Sequence, residues 1–180
     1  MSLLFDAIVK KCDAMPMPVT LAEDDRDEFP LVYVNAAFTS LTGYDRSFAV
    51  GQSCRFLQGP ETDRTVPQVI RQRLMLGESA CSILTNYRKS GERFQNFLII
   101  EPLVSLEKRH LLIGFQYELR GQTQKSDLSL HINRVGRAET SLGCYRDDTP
   151  DHLLTALSQK SDAALLALKI LTANTSRWPD

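Results

Sequence analysis

"CSILTNYRKSGERFQNFLIIEPLV", residues 81–104, decides the fold. Two runs rich in β-branched and aromatic residues, CSILTNYRK and RFQNFLIIEPLV, flank Ser90-Gly91-Glu92, a turn signal of hairpin length. They predict an antiparallel hairpin. A third such run, HLLIGFQYELR (110–120), follows the charged loop SLEKR and extends the sheet. Upstream, VTLA (19–22) and LVYVN (31–35) enclose the acidic loop EDDRDEFP and read as a second antiparallel pair. Between the two strand groups the pattern turns helical. NAAFTSLTGY is a short amphipathic helix stopped by Gly43, and DRSFAVG supplies another turn or two. TVPQVIRQRLMLGE places Val66, Val69, Ile70, Leu74 and Leu76 on one face, with Pro67 in its first turn and Gly77 at its end. Two strands, several short helices and three strands predict an α+β fold. Its core is a five-stranded antiparallel sheet, with the helices on one face, ending near Arg120.

Both flanks read as helical. Residues 2–14 carry a stripe of Leu3, Leu4, Ala7, Ile8 and Cys12, capped by Ser2 and ended by the prolines of MPMP (15–18). After a polar stretch at 121–150, Thr149 and Pro150 open a long helix with Leu153, Leu157, Ala164, Leu165, Leu168 and Leu171 on its apolar face. The expected organisation is an N-terminal flanking helix (1–16), an α+β domain (17–120) and a C-terminal helical extension (121–180). The flanking helices are expected to pack on the core and to support a homodimer.

Composition excludes several classes. The 180 residues carry a net charge of -1, with 43% hydrophobic and 24% charged residues, enough for a core and without an electrostatic footprint for nucleic acid or an anionic membrane. No apolar run approaches the ~20 residues of a membrane span, and the N-terminus does not read as a signal peptide. Cys12, Cys54, Cys81 and Cys144 are far apart and form no CxxC pair, so no metal site and no disulfide framework are expected. The chain is expected in the cytoplasm with reduced thiols. His110, His131 and His152 are isolated and read as ordinary loop or surface histidines.

The chemistry concentrates in GQSCRFLQGPETDR (51–64) and in three amides. Cys54 taken alone is a small buried hydrophobe. Arg55 beside it and Arg71 on the long helix are able to converge on one phosphate, although each read alone is a solvated surface arginine. Asn86, Asn96 and Gln116 lie on the three late strands among apolar neighbours, in LTNY, FQNFLII and IGFQYEL. One such amide is explained by facing solvent. Three, with Gln58 near Cys54, suggest a planar heterocycle with many donors and acceptors.

These residues carry a resemblance. GQSCRFLQGPETDR resembles the GxNCRFLQG signature of LOV (light-oxygen-voltage) domains, the flavin-binding, blue-light-sensing branch of the PAS superfamily. FPLVYVNAAFTSLTGY resembles that family's opening strand and helix, and LTNYRKSGERFQNFLIIEPL and LIGFQYEL resemble its last strands. The match spans roughly residues 17–119. It implies a PAS/LOV fold and a short photoreceptor without a separate effector domain. It implies that Cys54 is the thiol of a reversible cysteinyl–flavin C4a adduct, and that Gln116 is the signal switch facing flavin N5. It further implies that Arg55 and Arg71 hold a phosphate, and that Gln58, Asn86 and Asn96 bond the ribityl chain or the ring edge. Thr20, Asn35, Leu57, Ile70, Phe97 and Leu98 would line the ring.

FMN is the implied cofactor, since the segment between Cys54 and Arg71 lacks the insertion that houses an adenine in FAD-binding relatives. Ser53 and Gln95 depart from the family pattern, which usually has Asn at the first position and often an aromatic at the second. The resulting expectation is a blue-light photoreceptor, not an enzyme. It would signal through its flanking helices and oligomeric state, to itself or to an unidentified downstream protein. The alternatives are a flavin-dependent redox enzyme, which needs substrate access to the ring, and a flavin-free PAS interaction module.

Overall fold

The computed structural model describes residues 3–106 and 109–119. The Ser2 cap, the polar stretch and helix expected over 121–180, and the dimer contacts expected of that helix lie outside the described residues.

The N-terminal stripe forms helix α1 (Leu3–Asp13), which buries Ile8 and Cys12 and leaves Leu3 exposed. Pro16 and Pro18 bar its continuation, and the chain enters strand β1 (Val19–Glu23). The acidic loop turns it back into β2 (Leu31–Val34), antiparallel to β1 with Thr20 opposite Val34. Helices α2 (Ala36–Thr42) and α3 (Arg46–Ala49), the 3₁₀ turn Cys54–Leu57 and helix α4 (Thr65–Met75) follow. Strands β3 (Ala80–Tyr87), β4 (Arg93–Leu106) and β5 (Arg109–Leu119) complete the sheet.

Its order is β2-β1-β5-β4-β3, so the last strand lies at the centre and joins the two halves. β3 and β4 form the hairpin read from residues 81–104, with Leu84 opposite Asn96. β5 pairs with β1, setting Thr20 opposite Gly114 and Ala22 opposite Leu112. As the central strand, β5 is buried from Leu111 to Tyr117, with alternate side chains facing opposite ways.

The helical segment packs on one face of the sheet. Leu31, Val34, Phe38, Ala49 and Leu57 form one apolar cluster there, and Leu74, Ala80 and Leu112 form another. The apolar face expected of α4 needs correction. Val66, Ile70 and Leu74, spaced four residues apart, share a row turned inward, but Val69 is 54% exposed and Leu76 is 75% exposed. Val69 lies about 100° round the helix from Ile70, and Leu76 falls after the last helical residue.

Candidate functional site

Between the helices and the sheet lies a cavity of about 120 Å³ that opens to solvent at its mouth. Its sheet wall is built by alternation. Thr20 and Ala22 of β1, Leu84 and Asn86 of β3, Asn96, Leu98 and Ile100 of β4, and Leu112, Gly114 and Gln116 of β5 all face it. The opposite wall is Cys54, Leu57 and Gln58 from the 3₁₀ segment and Pro67, Ile70, Arg71 and Leu74 from α4.

The three amides meet on this wall. Asn96 Nδ2 donates to Asn86 Oδ1 at 2.8 Å and to Gln116 Oε1 at 3.0 Å. All three residues are at most 2% exposed. Asn96 Oδ1 is buried and has no hydrogen-bond partner among the described residues. Leaving such an acceptor unmade costs about 1–3 kcal/mol, so it points to a donor supplied by something bound in the cavity. Gly114 points to the same conclusion from shape. A Cβ there would meet Thr20 Oγ1 at 2.5 Å, and its absence keeps the middle of the wall flat. A planar ring with polar edges fits both features.

Cys54 begins the 3₁₀ turn on the facing wall, packed beside the cluster around Leu31 and Leu57. Burial pushes its thiol up to about 12, so the sulfur carries its proton at neutral pH. Gln58 closes the turn, its N–H donating to the Arg55 carbonyl at 2.9 Å. Gly59 follows because a Cβ there would strike the Tyr87 ring at 2.4 Å.

The mouth is charged. Arg55 and Arg71 both line it, and each is already engaged by the acidic loop. Arg55 Nη1 donates to both carboxylate oxygens of Glu28, at 3.0 and 2.9 Å. Arg71 donates to the carbonyls of Asp27 and Arg26 and reaches the Asp27 carboxylate at 3.4 Å. The loop is held for this purpose by its own hydrogen bonds. Asp25 Oδ1 accepts from the N–H groups of Asp27, Glu28 and Phe29 at 2.9–3.0 Å. Slight burial raises the Asp25 carboxyl, but these backbone donors outweigh it and hold the carboxyl below its ordinary range. Phe29, at φ 53°, turns its ring to the cavity.

Two expected pocket residues are elsewhere. Asn35 caps α2: its Oδ1 accepts from Phe38 N and Val19 N, both at 3.0 Å, and its Nδ2 donates to the carbonyls of Cys12, Met15 and Met17. All its polar atoms are used in tying α1 and its linker to the sheet. Phe97 points to the other face of β4, where it packs near Tyr117, because a strand cannot send Asn96, Phe97 and Leu98 to one side. Thr20, Leu57, Ile70 and Leu98 do line the cavity. Of the two departures, Ser53 lines the cavity, whereas Gln95 donates to Thr85 Oγ1 at 2.9 Å and is absent from the lining. The sequence reading missed Ala22, Phe29, Leu31, Leu84, Leu112 and Gly114. The two-residue spacing of Leu112, Gly114 and Gln116 would have found two of them.

Comparison with known proteins agrees with this architecture. A family model described as "PAS domain" matches residues 16–118. A LOV domain from an Erythrobacter litoralis blue-light activated histidine kinase is 38% identical, with a TM-score of 0.55; the match covers 59% of this chain and 99% of that one. A Rhodobacter sphaeroides LOV protein is 28% identical over 92% of this chain and 96% of its own, with a TM-score of 0.63. The chain belongs to the PAS domain family, in its LOV branch. In sequence it is also 37% identical over 121 residues to blue-light-activated histidine kinase 2 of Erythrobacter litoralis, covering 67% of this chain and 35% of that protein. The chain thus spans about a third of that relative, and half or less of the blue-light photoreceptors of two Listeria species that it also matches.

Proposed function

We propose that the chain is a blue-light photoreceptor that holds FMN in this cavity and uses the Cys54 thiol to form a reversible bond to flavin C4a. The observation that carries the proposal is the unpartnered Asn96 Oδ1, buried in a wall of amides in the cavity that Cys54 lines. Asn86, Asn96 and Gln116 would hold the polar edge of the ring, Gly114 would let it lie close to the sheet, and Arg55 and Arg71 would hold the phosphate. The flavin would supply absorption of blue light and an excited state reactive toward a thiol. A protonated Cys54 suits that division of labour, since no ground-state thiolate is required.

Gln116 is proposed as the switch. It is held in one orientation by Asn96 Nδ2. Rotating its amide would set its NH2 against that NH2, so Asn96 must turn with it and release Asn86. The Gln116 N–H also donates to the Pro18 carbonyl at 3.0 Å, which connects the switch to the linker of α1 as well as to the end of β5. Such a rearrangement, worth ~1 kcal/mol per exchanged bond, shifts an equilibrium several-fold. In this proposal the chain works in the cytoplasm as a homodimer, and its task is sensing and not turnover. Among the described residues no helix is long and apolar enough to cross a membrane, and no disulfide is present.

The test is an absorption spectrum of the FMN-reconstituted protein before and after blue light, with Cys54→Ala beside it. The wild type should bleach and recover in the dark, and the variant should bind FMN without reversible bleaching. A colourless protein, or bleaching that survives in Cys54→Ala, would overturn the assignment.

A further inference from the structure

The arginines at the cavity mouth are not free cations waiting for a phosphate. The acidic loop sets Asp24 against Arg26, Asp27 against Arg71 and Glu28 against Arg55, while Asp25 accepts from backbone N–H groups of the same loop. Glu28 makes the closest of these contacts, with both oxygens on Arg55 Nη1. Asp27 and two backbone carbonyls share Arg71, and Arg26 lies against Asp24 at 3.3 Å. The loop that presents these carboxylates is fixed by the Asp25 hydrogen bonds, so Glu28 is held at the mouth and does not merely stray there.

Resting on the flavin proposal above, we infer that Glu28 sets the pocket's selectivity between phosphorylated and unphosphorylated flavin. Its carboxylate shares the Arg55 guanidinium with the phosphate and repels it, which makes the phosphate contribute little to affinity. Riboflavin then binds almost as well as FMN, because the isoalloxazine end, held by neutral amides, is the same in both. The contest takes place in partial exposure: the Arg55 and Glu28 side chains are 48% and 55% exposed. Solvent and salt therefore limit it to the few-fold scale of surface ion pairs.

Apo-protein is titrated with riboflavin and with FMN, following quenching of flavin fluorescence, for wild type, Glu28→Gln, Arg55→Ala and the double variant. The wild-type preference for FMN should stay below about ten-fold. Glu28→Gln should tighten FMN about three- to five-fold at low salt and leave riboflavin within about two-fold. The gain should shrink at ~0.5 M salt, and it should vanish in the Arg55→Ala background. Glu61→Gln removes an equal charge that pairs with Arg93 outside the cavity lining, and should change neither affinity. If both flavins bind and Glu28→Gln alters both equally or neither, or if wild type prefers FMN by more than about a hundred-fold, the role of Glu28 is wrong while the flavin proposal stands. If neither flavin binds to wild type, both fall together.

Discussion

Asn86, Asn96 and Gln116 stand on three neighbouring strands whose backbones are locked by the ladder, whereas Arg55 and Arg71 reach the same cavity from a 3₁₀ turn and a helix surface. The amides are all but sealed from solvent, and each is oriented by the next. The arginines are partly exposed and lean on carboxylates of a loop. A polar group in the first setting has no water to fall back on, so a wrong partner costs its full desolvation. A charge in the second is screened, and it can exchange one anion for another at little cost. The amide wall should therefore govern whether a flavin binds at all, and the mouth should govern only which flavin is preferred.

The largest effect should come from Asn96→Leu. It removes the shared donor and leaves Asn86 Oδ1 and Gln116 Oε1 facing each other's loss in a dry wall. FMN and riboflavin should weaken by equal factors, because the bonds the Asn96 amide would make to the ring are lost for both, and the melting temperature should fall because two acceptors are orphaned at ~1–3 kcal/mol each. A loss confined to FMN in equilibrium titrations would break the comparison.

Arg71→Ala should act on the other side of it. FMN should weaken by about ten-fold or less and riboflavin by about two-fold at most, because the lost contact is charge-assisted but shared with Asp27. Equal losses for the two flavins would place Arg71 away from the phosphate.

The last effect is confined to high pH and is a slope. The Cys54 thiol is raised from 9.0 to about 12 by burial. Between those values the folded chain keeps a proton that the unfolded chain releases, so this residue's contribution to stability falls as pH rises through the window and is flat below it. Cys54→Ala should lose melting temperature less steeply than wild type from pH 9 to 12. Identical slopes would mean that the thiol is not desolvated.

Much of this was legible in the chain itself. The hairpin at 81–104 and the early strand pair follow from period-two runs and turn residues, all of them local signals, whereas the 3₁₀ turn that carries Cys54 is visible only in the structure. Asn35 carries a local signal that its expected place beside the ring leaves out. Its place before an amphipathic run is an N-cap signature, and the structure uses it as one, spending both ends of its amide on backbone. A capping side chain has nothing left to offer a ring, and Asn35 is absent from the cavity lining. Phe97 failed on the simplest rule available, the alternation of a strand about Asn96.

The sequence by itself determined the α+β class, the strands, and which residue types gather near the cavity, because propensity, periodicity and turn chemistry act within a few residues of one another. Only the tertiary structure decided that the last strand lies at the centre of the sheet, that Asn96 bridges Asn86 and Gln116 yet keeps one oxygen unpaired, and that Glu28 sits on Arg55. Each of these depends on the register of strands or the path of a loop across 10 to 30 residues of separation. Hydrogen bonds and ion pairs are won or lost within an ångström, and no local pattern sets distances that fine.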